Sequence, residues 1–315
     1  MILPFGVALL SLTAVRGAYT NRKFWRTTND FLEAFDFDDS PDPSGGTVQY
    51  VNQQTAANLG LYGAGRNGGF RFGADSSQTG TRKSVRLQSK GTYGNGIYIF
   101  DVSHGPSGCG TWPALWTTTA GGNWPHGGEI DVMEQVNGVG RPDSSTLHTS
   151  PGCTMPEGRS MTGTATLNDC NVLNGANGNA GCGVNLFSDP NSFGEPLNNN
   201  GGGTYAMQRE SGGIYVWFWQ GNSAPFDPRS PNAHIDPASW GTPHASFPST
   251  SCDVGQYFDA HWITMNIDFC GGFVDAFWQQ DGCSKYGSCV DYVANNPGAF
   301  REAYFDLNAV SFWSQ

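Results

Sequence analysis

The chain has 315 residues, with 16 Lys and Arg against 27 Asp and Glu and a formal charge of −11 at pH 7. That acidity, without basic blocks, excludes nucleic acid as a partner, and ten Trp, eleven Tyr and twenty Phe exclude a disordered chain, since so much apolar surface demands burial. With 44 Gly, 18 Pro and only 14% charged residues, the composition excludes a long helical bundle and favours short strands joined by turns in one all-β domain.

Residues 1–18, MILPFGVALLSLTAVRGA, read as a secretory signal, an apolar run from Ile2 to Val15 followed by the small residues Gly17 and Ala18. No Lys or Arg precedes the run, so the α-amino group is its only leading charge. The run is shorter than the ~20 apolar residues of a membrane span, and no later stretch is apolar enough for one. The expectation is a leader over 1–18 and a single secreted domain over 19–315, not associated with a membrane. The Cys residues at Cys109, Cys153, Cys170, Cys182, Cys252, Cys270, Cys283 and Cys289 agree with export, because an even count in a secreted chain points to disulfides. Their pairing is not legible from spacing. There is no C-x-x-C, no His spacing suited to zinc, and no Asn-x-Ser/Thr acceptor for glycans.

Gly63–Gly68 fits G-x-G-x-x-G, but no strand–helix frame surrounds it and no acidic residue follows at the distance a ribose would need. No cofactor and no metal site are predicted. In Ser84–Ser89, Val85 and Leu87 take one face while Arg86 and Gln88 take the other. Arg86 is placed either to meet a sugar hydroxyl or to form an ordinary ion pair. Trp112 and Trp116 share a face, with Ala114 between them, and Trp124 lies five residues before Glu129. His148 is either a structural hydrogen-bonding residue or a neighbour of the acids that follow Trp124. Turns are expected over Asn174–Gly183 and Asn198–Gly203. In Ile214–Trp219 the aliphatic face of Ile214, Val216 and Phe218 opposes Tyr215, Trp217 and Trp219, a second face too aromatic for water alone. Trp217 and Trp219 belong either to a core or to a binding face. In His261–Phe269, Ile263, Met265, Ile267 and Phe269 oppose Trp262, Thr264, Asn266 and Asp268. A short helix is expected over Pro297–Ala303. Two antiparallel sheets packed face to face account best for this pattern.

The densest chemistry lies in Gly127-Gly-Glu-Ile-Asp-Val-Met-Glu-Gln135. Period two puts Glu129 and Asp131 on one face of a strand, whereas Glu134, an odd number of residues from Glu129, would point away. A β-bulge near Val132–Met133 would turn it back. The two Glu Cα atoms then stand ~13 Å apart along the strand, and both side chains can lean inward over Asp131 toward the ~5–5.5 Å carboxyl separation of a retaining glycosidase. Acids crowded on one face repel, so at least one keeps its proton to unusually high pH, as acid-assisted glycoside cleavage requires.

Glu129-Ile-Asp-Val-Met-Glu134 resembles the catalytic motif of glycoside hydrolase family 16, in the bulged form of its laminarinase-type members. Gly108-Cys-Gly-Thr-Trp-Pro-Ala-Leu-Trp116, Trp124-Pro-His-Gly-Gly-Glu129, Leu147-His-Thr149, the Cys distribution and Asn296-Pro-Gly-Ala-Phe300 are similar to secreted fungal endo-β-1,3(4)-glucanases. The resemblance implies a concanavalin-like jelly roll, a two-sheet antiparallel β-sandwich with a substrate cleft across its concave face. It also implies hydrolysis of β-1,3 and mixed-linked β-glucans with retention, by a monomer. Glu129 is then the nucleophile, Glu134 the acid/base and Asp131 the nucleophile's helper, with Trp112, Trp116, Trp124, Arg86 and His148 as candidates for contact with the sugar. Close relatives tend to carry Trp near Phe273, so one glucosyl subsite is expected to be weaker here. The same acids would serve a transglycosylase that uses a sugar acceptor, and a protein keeping only the aromatic groove would bind glucan without cutting it.

Overall fold

Period-two alternation becomes two eight-stranded antiparallel sheets in the computed structural model, which describes residues 19–173 and 178–315. The leader expected over 1–18 and the start of the Asn174–Gly183 turn lie outside the described residues. The first sheet, here the backing sheet, runs in the order Ala245–Pro248, Gly213–Gln220, Gly203–Glu210, Gly96–His104, Tyr304–Ser314, Phe70–Gly73, Tyr62–Ala64, with Asn21–Trp25 also paired to Tyr304–Ser314. The second, the acidic sheet, runs Thr164–Ala165, Cys182–Asn185, Ser144–His148, Glu129–Glu134, Thr111–Thr119, His261–Phe269, Arg86–Ser89, Phe35–Phe37. Val48–Tyr50 and Arg82–Ser84 form a small parallel pair.

The aliphatic faces read from the sequence meet between the sheets. Leu87, Leu115, Ile130, Ile263, Met265 and Ile267 of the acidic sheet, with Val85 just before its Arg86–Ser89 strand, join Phe100, Tyr205, Met207, Ile214, Val216 and Phe218 of the backing sheet in one buried cluster. Burial of such side chains, at roughly 1.5–3 kcal/mol each, fixes which face of every strand turns inward.

Trp217 and Trp219 lie on the far side of the backing sheet from this core. Ile97, Ile99, Ala206, Trp217 and Trp313 form a second cluster there with Ile235 and Trp240, and Trp219 and Phe226 pack against it. Trp240 stands edge-on to Trp217 and Trp219 at 5.2 and 5.3 Å, and the Trp217 indole N–H donates to the Gly241 carbonyl at 3.1 Å. The aromatic second face of Ile214–Trp219 is therefore covered by another layer of the protein and belongs to a core.

Two expectations shift at the ends of elements. Asn198 and Asn199 close a short helix, Gly194–Asn199, and the turn is confined to the residues just before Gly203. The helix expected over Pro297–Ala303 is a single 3-10 turn, Pro297–Phe300. Ala303 is already drawn into sheet contacts, its carbonyl accepting the Ala74 N–H at 3.0 Å.

All eight cysteines pair, as Cys109–Cys283, Cys153–Cys252, Cys170–Cys182 and Cys270–Cys289. Two of the bonds tie the short helices between Gly271 and Asn295 to residues that border the Thr111–Thr119 and His261–Phe269 strands. Bridges across long sequence separations stabilise mainly by restricting the unfolded chain.

Trp217 is 4% exposed, so Trp217→Ala is expected to lower the unfolding free energy by about 3–5 kcal/mol through lost burial and the cavity left behind. Urea titration checks this as a shifted midpoint with an unchanged slope.

Candidate active site

Strand register decides the sidedness of the acids. Glu129 stands opposite Thr118 and His148, and Asp131 opposite Trp116 and Thr146. Three residues later, Glu134 stands opposite Ala114 and Ser144, only two residues along each partner. Met133 pairs with Leu115, which leaves Val132 as the extra residue. Thr118, Trp116 and Ala114 are alternate residues of one strand and share a face, so Glu129, Asp131 and Glu134 share it too. The predicted bulge is present, and its two apolar residues, Val132 and Met133, are both buried in the core.

The chain enters this strand through two glycines in the left-handed region, Gly127 (φ 84°) and Gly128 (φ 79°). A Cβ on Gly128 would lie 2.4 Å from the Phe258 ring, so no larger residue fits. The loop before them carries Trp124, whose indole N–H donates to Glu129 Oε2 at 2.8 Å. Trp112 donates likewise to Glu134 Oε1 at 2.8 Å, and Trp116 donates to Asn266 Oδ1 at 2.7 Å. Each glutamate is thus held by an indole, and the three rings flank the acids.

His148 sits across from Glu129, and its Nε2 lies 3.0 Å from Asp131 Oδ2. The donor atoms of Glu129, Asp131 and His148 all fall within 4.8 Å of one another, close enough to ligate a single cation. Arg86 shares the acidic face, because Asn266 pairs with both Ala114 and Arg86, but it lies three strands from Glu134. It is engaged with Asp38 at 3.4 Å and lies 5.3 Å over the Trp116 ring. Phe273 meets Trp112 edge-on at 5.6 Å, which puts it at the Glu134 end of the face.

Three residues here escaped the sequence reading. Asn266 orients Trp116 and itself donates to the Tyr50 hydroxyl at 2.9 Å; its place on the polar face of a strand was visible, its partners were not. Asp143, wholly buried, accepts the backbone N–H of Glu134 at 3.0 Å, and nothing in its spacing marks it. Asp268, opposite Trp112 on the next strand, lies 2.7 Å from Ser44 Oγ, which lies 2.8 Å from Asp42. One hydroxyl proton cannot serve two ionised carboxylates. Asp42 also takes the N–H groups of Ser44 and Gly46, and Asp268 Oδ1 takes the Phe269 N–H. Burial and the nearby Asp42 push its carboxyl up to about 7.

Burial dominates the electrostatics of the acids as well. It raises Glu129, Asp131 and Glu134 each to about 8, and the charge of Asp131 adds to the rise in both glutamates. The first of the three to ionise therefore makes ionisation of the others harder, and a proton remains on the cluster near neutral pH. A carboxylate and a carboxylic acid side by side can deliver a nucleophile and a proton donor to one bond.

A family model described as "XgeA-like, catalytic GH16 domain" matches residues 35–313 of the chain. The chain belongs to glycoside hydrolase family 16. Within that family it is 42% identical over 287 residues to the probable glycosidase C21B10.07 of Schizosaccharomyces pombe, covering 90% of this chain and 66% of that one. Laminarinase 16A of Phanerochaete chrysosporium, solved with 6-O-glucosyl-laminaritriose in both donor and acceptor sites, superposes with a TM-score of 0.86 at 42% identity over 94% of this chain and 99% of that one. An elongating family 16 β-1,3-glucosyltransferase superposes with a TM-score of 0.83 at 34% identity, with the same coverage. The chain spans about half to two thirds of the length of the curated relatives it matches, several of which are named endo-1,3(4)-beta-glucanases. The two antiparallel sheets expected from the strand pattern, and the jelly roll that the resemblance implied, are the fold these family 16 structures share.

The raised acids carry a stability cost of definite sign. Their unfolded values lie near 4 and their folded values near 8, so the native state holds more protons across that window. Stability present below about pH 4 is therefore lost as pH rises through about 8. Glu134→Gln removes one titrating group and should melt a few degrees above the parent, roughly 2–4 °C at pH 9, with little difference at pH 4. Thermal melts at the two pH values check this.

Proposed function

We propose that this chain is a secreted, retaining endo-β-1,3(4)-glucanase that works as a monomer on β-1,3 and mixed-linked β-glucans. The observation that carries the reading is the bulge at Val132, which sets Glu134 beside Asp131 and Glu129 on one face. Names of relatives and the glucan-bound laminarinase support the substrate class. The four disulfides support an oxidising, extracellular destination. Among the described residues no helix is long and apolar enough to cross a membrane.

In this mechanism a glucan lies across the acidic face with its pyranose rings against Trp112, Trp116 and Trp124, whose apolar faces suit the C–H faces of the sugar. Glu134, protonated, gives its proton to the glycosidic oxygen while Glu129 attacks the anomeric carbon and forms a glycosyl ester. Asp131, between them, orients Glu129 and limits its charge, with His148 behind it. Glu134, now ionised, removes a proton from the incoming water, which releases the sugar with its original anomeric configuration. Two inversions at one carbon require both acids on the same side of the strand.

Transfer to a sugar acceptor uses the same first half-reaction, and the likeness to an elongating glucosyltransferase favours testing it directly. Size-resolved products would distinguish the two, since transfer yields oligosaccharides longer than the donor at high donor concentration.

Laminarin, lichenan and barley glucan should be cut, with cellulose and galactan as negative controls. Glu129→Gln and Glu134→Gln should each lower laminarin turnover roughly a thousandfold or more without loss of fold. Proton NMR of the first products should show the β-anomer. Initial release of the α-anomer would remove Glu129 from the nucleophile's role.

A further inference from the structure

The bulge that aims Glu134 also disturbs the ladder beside it. Four residues, Asp131 to Glu134, face three on the next strand, Thr146 to Ser144, and the Glu134 N–H goes to the side chain just before that strand, Asp143 Oδ1, at 3.0 Å. Asp143 also takes the Ser144 N–H. Its own backbone is fixed on both sides: its N–H donates to Ser192 Oγ at 2.9 Å, and its carbonyl accepts the Leu186 N–H at 2.9 Å. The carboxyl is wholly buried, and its second oxygen, Oδ2, has no hydrogen-bond partner among the described residues.

We propose that Asp143 is a positioning residue for Glu134: by replacing the ladder bond lost at the bulge, it holds the acid/base carboxyl in line with the glycosidic oxygen. The proposal rests on the assignment of Glu134 as acid/base given above. Asp143 cannot touch substrate from beneath the strand and acts only through the Glu134 backbone. Were its oxygen removed, a buried N–H at the most distorted point of the strand would have no acceptor. The bulge would then relax toward other pairings, and a small displacement of a proton donor is enough to cost about 10- to 100-fold in rate.

The groups that face Asp143 are Glu134 and Asp131 from the bulged strand and Tyr205 from the backing sheet. Burial raises its carboxyl well above the usual range, and the orphaned Oδ2 is where a proton would sit. A neutral carboxylic acid in this place is closely imitated by an amide, whose oxygen keeps the Glu134 N–H.

The test compares Asp143→Ala, Asp143→Asn and Glu134→Gln with the parent on two donors. Laminarin has a poor leaving group and needs a proton from Glu134. A dinitrophenyl β-laminaribioside leaves without one, and azide in the buffer attacks the glycosyl-enzyme without a general base. Asp143→Ala should lose about 10- to 100-fold in kcat on laminarin with KM little changed, and should recover most of that loss on the aryl donor with azide. Asp143→Asn should stay within a few-fold of the parent on both. An equal loss on both donors for Asp143→Ala, or an Asn variant as impaired as the Ala variant, would overturn the proposal. The Asn arm stands by itself if the Ala variant does not fold. Glu134→Gln separates the two levels of inference. If it shows no leaving-group dependence, the acid assignment falls; if it does and Asp143→Ala does not, only the role of Asp143 falls.

Discussion

The structure turns on a single extra residue, Val132, accommodated inside a strand whose neighbours stay regular. A strand of period two cannot present residues 129, 131 and 134 on one side, and the sandwich core cannot accept an acid pointing inward. Placing Val132 and Met133 consecutively inward satisfies both demands, at the cost of a broken ladder. The surrounding order follows from that. The core must hold two adjacent apolar side chains, Asp143 must supply an acceptor for the displaced N–H, and Trp112 and Trp124 can then hold the two glutamates from opposite ends of the acid row.

The same arrangement concentrates unfavourable electrostatics where the chemistry is. Three carboxyl groups drawn partly out of water resist ionisation together, and the apolar cluster between the sheets and the four cross-links offset that cost. Desolvation is what keeps a carboxylic acid protonated near neutral pH, so the feature that weakens the folded state is also the source of the proton donor. Asp268, two strands away, and the loop residue Asp42 repeat the pattern as two acids that share the Ser44 hydroxyl.

Sidedness was largely legible from the residues. Counting positions gives the shared face of Glu129 and Asp131, the need for a bulge before Glu134, and the common face of Trp112 and Trp116, because strand periodicity is strict. What lies over a face is set by segments without periodicity. The stretch between Gln220 and Ala245, rich in Pro, carries Phe226, Ile235 and Trp240 over the backing sheet, and nothing in the strand itself reveals whether Trp217 meets that cover or a sugar. Arg86 was open between two roles and has its ion pair with Asp38, a partner from a loop remote in sequence. Asp143 was silent because its work is done by one oxygen on one backbone N–H. The Cys pairing was unreadable because it records which loops the finished sandwich brings together.

The distribution of indoles between the two sheets has a spectroscopic consequence. Trp217 and Trp240 are packed edge to face at 5.2 Å in the buried layer behind the backing sheet, where emission is insulated from solvent. Trp124 is 42% exposed, and its N–H rests on the Glu129 carboxylate. A saccharide settling on that ring changes both its solvation and the proton beside it, while the hidden pair continues to glow unaltered. Intrinsic fluorescence thus contains both a reporter and its own internal standard, and occupancy of the acidic face can be followed without a label.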